Sequence, residues 1–83
     1  MSVHASHLTF LDCAHDPNKV THTWRVESNG SLLGTVTWYS PWRRYVYYPQ
    51  VEMVTLYDAS CMIELAEFCQ RQTDLRKLER KSA

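Results

Sequence analysis

The chain has 83 residues, with nine basic and nine acidic side chains and so no formal net charge at pH 7. A domain of this size buries only about 60–65% of the surface that its unfolded chain exposes, which leaves little room for an enclosed catalytic cavity in one chain. No apolar run reaches the roughly 20 residues of a membrane-spanning helix, and the neutral balance disfavours generic binding to long duplex nucleic acid, which needs many Lys/Arg–phosphate contacts.

Residues 1–18 read as a variable N-terminal segment without the Lys/Arg cluster and long apolar stretch of a secretory signal. Leu8 to Leu11 form a short apolar run, and Asp16-Pro17-Asn18 supplies turn chemistry. Thr21 to Ser28 alternates as a strand, with His22, Trp24 and Val26 on one face and Thr21, Thr23, Arg25 and Glu27 on the other. Asn29-Gly30 is the strongest local signal, a dipeptide suited to the positive φ angles of a tight hairpin. The returning strand spans about Leu32 to Tyr39, and Gly34 within it predicts a bulge or a close backbone approach. Ser40-Pro41 interrupts it, since proline cannot donate to a ladder. Trp42 to Tyr48 is the next strand, closed by Pro49, and Gln50–Tyr57 is a crossing loop with a short extended piece at Val51–Leu56.

Asp58 has the chemistry of a helix N-cap. After it Cys61, Met62, Leu65, Phe68, Cys69, Gln72 and Leu75 recur at helical spacing, while Glu64, Glu67, Gln70 and Arg71 point outward. The helix is predicted over Ala59–Gln72, with Thr73-Asp74 recapping a further turn or two to Arg80; Lys77, Arg80 and Lys81 suit a helix C-terminus. The expected fold is α+β in a single domain, residues 1–83. An antiparallel β-meander of three or four strands occupies residues 19–57, and one C-terminal α-helix, residues 58–80, packs on one of its faces.

The three cysteines, Cys13, Cys61 and Cys69, form no CxxC pair, and their odd number favours reduced thiols in the cytoplasm. Four histidines fall in the first 22 residues, but neither His4-x-x-His7 nor Cys13-x-His15 has a usual zinc spacing, so no metal is expected. Cys13 and His15 lack an oxyanion site, and Glu64 with Glu67 read as a solvated helix stripe. With only Gly30 and Gly34 there is no Gly-rich phosphate loop. No enzymatic activity and no cofactor are expected.

Chemistry concentrates in Trp38-Tyr39-Ser40-Pro41-Trp42-Arg43-Arg44-Tyr45-Val46-Tyr47-Tyr48-Pro49. Arg43, Tyr45 and Tyr47 share one face of the strand after Pro41; Arg44, Val46 and Tyr48 share the other. One helix covers only one face of a sheet, so some rings lie exposed or at an interface. Trp38 and Tyr48 are expected in the core, Tyr45 and Tyr47 on an exposed or interfacial face. Arg43 and Arg44 either pair with Glu27 and Glu52 or stack on neighbouring rings. Aromatic faces stack on nucleobases for about 1–3 kcal/mol per base, and arginine grips phosphate bidentately. The same residue types dominate protein–protein hot spots, so both uses stay open.

Three segments carry a resemblance: Trp24-Arg-Val-Glu-Ser-Asn-Gly, Leu33-Gly34-Thr-Val36-Thr-Trp38-Tyr39, and Trp42-Arg43-Arg44-Tyr45-Val46-Tyr47-Tyr48-Pro49. With Leu65-Ala66-Glu67-Phe68 in a closing helix, the pattern over about Thr21 to Gln72 resembles a widespread family of small phage and prophage proteins. Tyrosine stands at Tyr47 where that pattern more often has phenylalanine, and the His-rich N-terminus is longer. The resemblance implies a non-enzymatic counter-defence protein in the host cytoplasm that sequesters a small anionic nucleotide-type signal, as a homo-oligomer. Its ligand would be held by Trp42, Arg43, Arg44, Tyr45 and Tyr47, supported by Trp38 and Trp24. The alternatives are a protein-binding inhibitor of a host or defence enzyme using the same surface, and a nucleic-acid-contacting accessory module.

Overall fold

The computed structural model describes residues 2–5, 7–13, 21–51 and 54–82. Along the chain these form β1 (Ser2–Ala5), β2 (Thr9–Asp12), β3 (Thr23–Ser28), β4 (Ser31–Tyr39), β5 (Arg44–Pro49), β6 (Val54–Tyr57) and α1 (Ala59–Ser82). Strands β2-β3-β4-β5 make an antiparallel sheet in sequence order, and α1 lies against it, giving a small α+β fold. A second, two-stranded sheet pairs β1 with β6 in parallel, Ser2 opposite Val54 and Ala5 opposite Tyr57. The N-terminal segment contributes β1 to this sheet and β2 to the larger one, so the antiparallel sheet begins before the expected bounds of residues 19–57; β6 overlaps the short extended piece expected at Val51–Leu56.

Local chemistry sets the hairpins. Asn29 and Gly30 take φ angles of 52° and 80°, and Ser28 pairs with Ser31 across them, the two-residue turn that the dipeptide predicts. The register between β3 and β4 then slips at Val26/Glu27, so Leu33 is an extra residue opposite the step. The bulge turns both Leu33 and Gly34 inward, and both are buried. A Cβ on Gly34 would stand 2.2 Å from the Tyr48 carbonyl oxygen and 2.8 Å from the Tyr47 hydroxyl, so only glycine fits there.

The next hairpin departs from expectation. Trp42 and Arg43 belong not to a strand but to a four-residue loop, with β5 starting at Arg44. Arg43 N–H donates to the Tyr39 carbonyl at 2.9 Å, and Arg43 itself sits at φ 53°. This single helical turn, ended by a left-handed residue, reverses the chain after Pro41.

Helix α1 begins where Asp58 caps it: the Asp58 carboxylate accepts from Cys61 N–H at 2.9 Å and from the Ser60 hydroxyl at 2.8 Å. Those bonds hold its carboxyl below the ordinary value, while burial pushes the Cys61 thiol up. The helix does not recap at Thr73. The Thr73 hydroxyl donates back to the Cys69 carbonyl (2.8 Å) and accepts Tyr45 N–H (2.9 Å). It therefore stays helical and ties α1 to the edge strand β5, satisfying a donor that an edge would leave open. Among the described residues the buried apolar side chains are few: Val26, Leu33, Val36, Tyr45, Cys61 and Leu65. Phe10, Trp24, Trp38, Tyr47, Tyr57 and Phe68 pack partly buried around them. Met62 and Leu75, expected in the core stripe, are exposed.

Candidate functional site

The sheet register sorts the seven residues singled out from the sequence. Trp24, Val36 and Tyr47 align across β3, β4 and β5, and Trp38 opposes Tyr45 on the same face. That face is the one α1 covers. Tyr45 is only 5% exposed, with its ring edge-on to Trp24 at 5.3 Å and to Trp38 at 5.2 Å. Phe68 of α1 meets Trp24 edge-on at 5.1 Å and stacks on Phe10 of β2 at 3.9 Å, so the ring cluster joins both ends of the sheet to the helix. The Tyr45 hydroxyl accepts His22 N–H at 3.1 Å. Tyr45, expected on an exposed or interfacial face, is instead buried core, and Trp24 and Trp38 pack half-buried against it.

Tyr47 is also corrected. Its ring is half-buried, its hydroxyl is hydrogen-bonded to that of Tyr57 on β6, and burial, reinforced by that bond, raises its phenol pKa well above the ordinary value. The phenol is committed within the fold, though a ring edge reaches the surface. Tyr48, expected in the core, is exposed on the opposite, uncovered face. The alternation was read correctly; which face the helix would cover was not.

What remains exposed is compact. Trp42 is 63% exposed at the loop tip, edge-on to Tyr39 at 5.0 Å. Tyr39, Trp42, Val46, Tyr47 and Tyr48 line an open groove of about 300 Å³. Arg43 and Arg44 follow Trp42 in the chain, both exposed, and Arg44 Nε donates to the Trp42 carbonyl at 3.3 Å. Among the described residues neither arginine pairs with a carboxylate. Glu27 instead pairs with Arg25 at 3.0 Å, and Glu52 lies outside the described residues. Tyr39, Val46 and Tyr48 are the groove residues that sequence reasoning did not assign to a site; their alternation with Tyr45 and Tyr47 was the signal available.

A second depression lies on the other side of β5. Arg44, Tyr45, Cys69, Gln70, Thr73 and Lys77 line a cleft of about 240 Å³ between β5 and α1. Burial pushes the Cys69 thiol up, which favours its neutral form. Among the described residues no group of three His, Cys, Asp or Glu side chains could hold a metal ion; the side chain of His4 and all of His15 lie outside them. No helix among them is long and apolar enough to cross a membrane. Comparison with protein-family models, curated proteins and solved structures finds no match to this chain.

Proposed function

We propose that this chain is a non-catalytic, phage-encoded counter-defence protein that sequesters a small nucleotide-type signal in the host cytoplasm. The observation that carries this reading is the exposed Trp42 ring at a loop tip, followed by two arginines that pair with no carboxylate among the described residues, and opening on an aromatic groove. A base stacks on Trp42 and Tyr48 while Arg43 and Arg44 hold phosphate oxygens. The groove is open on one side, so a second copy supplies the other wall, and the active form is a homo-oligomer. A thermal-shift panel of cyclic and linear nucleotides tests this. A ligand at 100 times its Kd stabilises a native-only binder by about 2.7 kcal/mol, and that gain should vanish in Trp42→Ala. Ligand released on denaturation should be unaltered, and melting curves that stay flat across the panel would overturn the proposal.

A protein-binding inhibitor is the second reading, favoured by the shallow groove's continuity with the uncovered sheet face, where Tyr48, Trp42 and Arg44 are hot-spot residue types. It requires one dominant host protein retained by the wild type and lost with Trp42→Ala combined with Arg43→Ala. A nucleic-acid accessory role would instead require binding that weakens steeply with salt.

A further inference from the structure

The cleft between β5 and α1 brings together two cations that the sequence keeps far apart, Arg44 on the strand and Lys77 on the helix. No carboxylate lines it. The nearby acid on the same helix, Asp74, accepts from the Gln70 amide at 2.9 Å and lines a separate groove with Glu67, Arg71 and Leu75. The floor is held in place by bonded atoms. Tyr45 N–H donates to Thr73 Oγ1, which donates to the Cys69 carbonyl, so the strand and the helix that carry the two cations are fixed to one another. A hydrogen-bonded frame of this kind presets a binding geometry. At about 240 Å³ the cleft is smaller than the roughly 300–1,000 Å³ of clefts that enclose drug-sized ligands. It suits a compact anion and not a whole nucleoside.

We infer that this cleft is a phosphoryl-binding subsite, with Arg44 and Lys77 gripping one phosphate or diphosphate group. The inference rests on the nucleotide reading for its biological ligand, but the anion site is testable without it. Arg44 links the two depressions: its Nε donates to the carbonyl of Trp42, a groove residue, and its side chain lines the cleft. A ligand with an aromatic ring and a phosphoryl group can therefore straddle the edge of β5, ring on the uncovered face and phosphate against the helix. Lys77, which the sequence offered only as part of a basic helix end, becomes a ligand contact.

The test uses the full chain and pyrophosphate as the probe, followed by amide chemical shifts. Saturable shifts should centre on Gln70, Thr73, Lys77 and Arg44. Lys77→Gln and Arg44→Gln should each weaken binding by about tenfold, the loss of one charge-assisted hydrogen bond. Arg71→Gln removes the same charge from a different groove of the helix and should change binding less than about twofold. Lys77 is exposed, so its replacement leaves the fold intact. An equal loss in Arg71→Gln, or no saturable shift up to about 10 mM pyrophosphate, overturns the subsite. A nucleoside monophosphate compared with its nucleoside separates the two proposals. Binding that needs Trp42 but ignores both the phosphate and Lys77 keeps the aromatic groove and removes the subsite. Pyrophosphate binding that needs Lys77, with no nucleotide binding at all, keeps the subsite and removes the nucleotide reading.

Discussion

The aromatic residues of this chain divide into two populations only a strand's thickness apart. On the helix side of the sheet, Trp24, Trp38 and Tyr45 interlock with Phe10 and Phe68, and each ring meets another edge-on or stacked. On the opposite side and at the loop tip, Trp42 and Tyr48 are exposed, near arginines that pair with no carboxylate among the described residues. The residue types are the same, so composition does not distinguish them. What separates them is strand parity and the position of one helix: Tyr45 and Tyr48 differ by an odd number of residues and therefore point to opposite faces. In so small a domain the buried set supplies most of the large apolar contacts. The exposed set adds little to stability and is free for recognition.

Substitutions should expose that division most sharply at Tyr45. Tyr45→Ala removes a buried ring at the centre of the cluster and should cost about 3–5 kcal/mol, enough to unfold most of the population of a marginal domain. Trp42→Ala should stay within about 0.5 kcal/mol of the wild type in urea unfolding. Comparable losses at the two positions would erase the distinction between core and surface rings. Gly34→Ala belongs with the first group. Its new methyl would strike the Tyr48 backbone, which cannot yield as a side-chain tip can, so the loss should exceed about 2 kcal/mol. Wild-type stability in that variant would show that the bulge is not as close-packed as described.

A further substitution asks whether the helix is bound to the sheet by more than apolar contact. Thr73→Val keeps the shape but leaves Tyr45 N–H without its acceptor, at a cost of about 1–3 kcal/mol. Hydrogen exchange at the Tyr45 amide reports this directly: protection should fall in Thr73→Val and persist in Thr73→Ser. Unchanged protection in the valine variant would remove the link between α1 and the edge of β5.

These positions also show what could be read from the chain alone. The Asn29-Gly30 turn and the Asp58 cap were legible because a few neighbouring residues determine them. Gly34 was legible because glycine inside a strand usually marks a bulge or a close contact, and here it marks both. The pairing of Tyr45 with Tyr47 on one face followed from period two, but their burial did not. Burial depends on where a helix beginning more than ten residues later lies down. The loop placement of Trp42 and Arg43 was missed because both have good strand propensity, and the hydrogen bond from Arg43 N–H to the Tyr39 carbonyl has no sequence signature. The parallel pair β1–β6 joins chain segments about fifty residues apart through two four-residue strands, with no turn to announce it. Of the candidate site, Trp42, Arg43 and Arg44 stayed together at the surface, Tyr45 became core, and Trp24, Trp38 and Tyr47 pack half-buried against it, with Tyr47 also lining the groove.

Arg43 offers a smaller effect of opposite sign. A non-glycine residue at φ 53° carries roughly 1 kcal/mol of backbone strain. Arg43→Gly should therefore raise stability by about 0.5–1 kcal/mol while removing a charge beside the groove. Stabilisation together with weaker nucleotide binding would show that this arginine is kept for recognition at some expense to the fold. Destabilisation would mean that the guanidinium packs on the structure and belongs with the core side of the division.

The smallest effect is at the helix start and is best read through pH. The bonds from Cys61 N–H and the Ser60 hydroxyl favour the charged Asp58 carboxylate, so its folded-state pKa lies below its unfolded value. A depressed carboxyl contributes stability that is fully present above the unfolded pKa, about 3.9 for aspartate. That contribution is lost as pH falls through the folded value. Asp58→Ala should therefore melt a few degrees below the wild type at pH 7. The gap should narrow in acid, because the wild type loses the charge of its cap and keeps only a neutral acceptor, while alanine never had either. Asp58→Asn keeps a neutral acceptor and should fall between them at pH 7. A gap between wild type and alanine that held constant from pH 7 to about pH 2 would show that the charge on Asp58 contributes nothing to capping, because protonation would then be without effect. Asp58, Ser60 and Cys61 line neither the groove nor the cleft, so even complete loss of the cap should leave pyrophosphate and nucleotide binding at β5 unchanged.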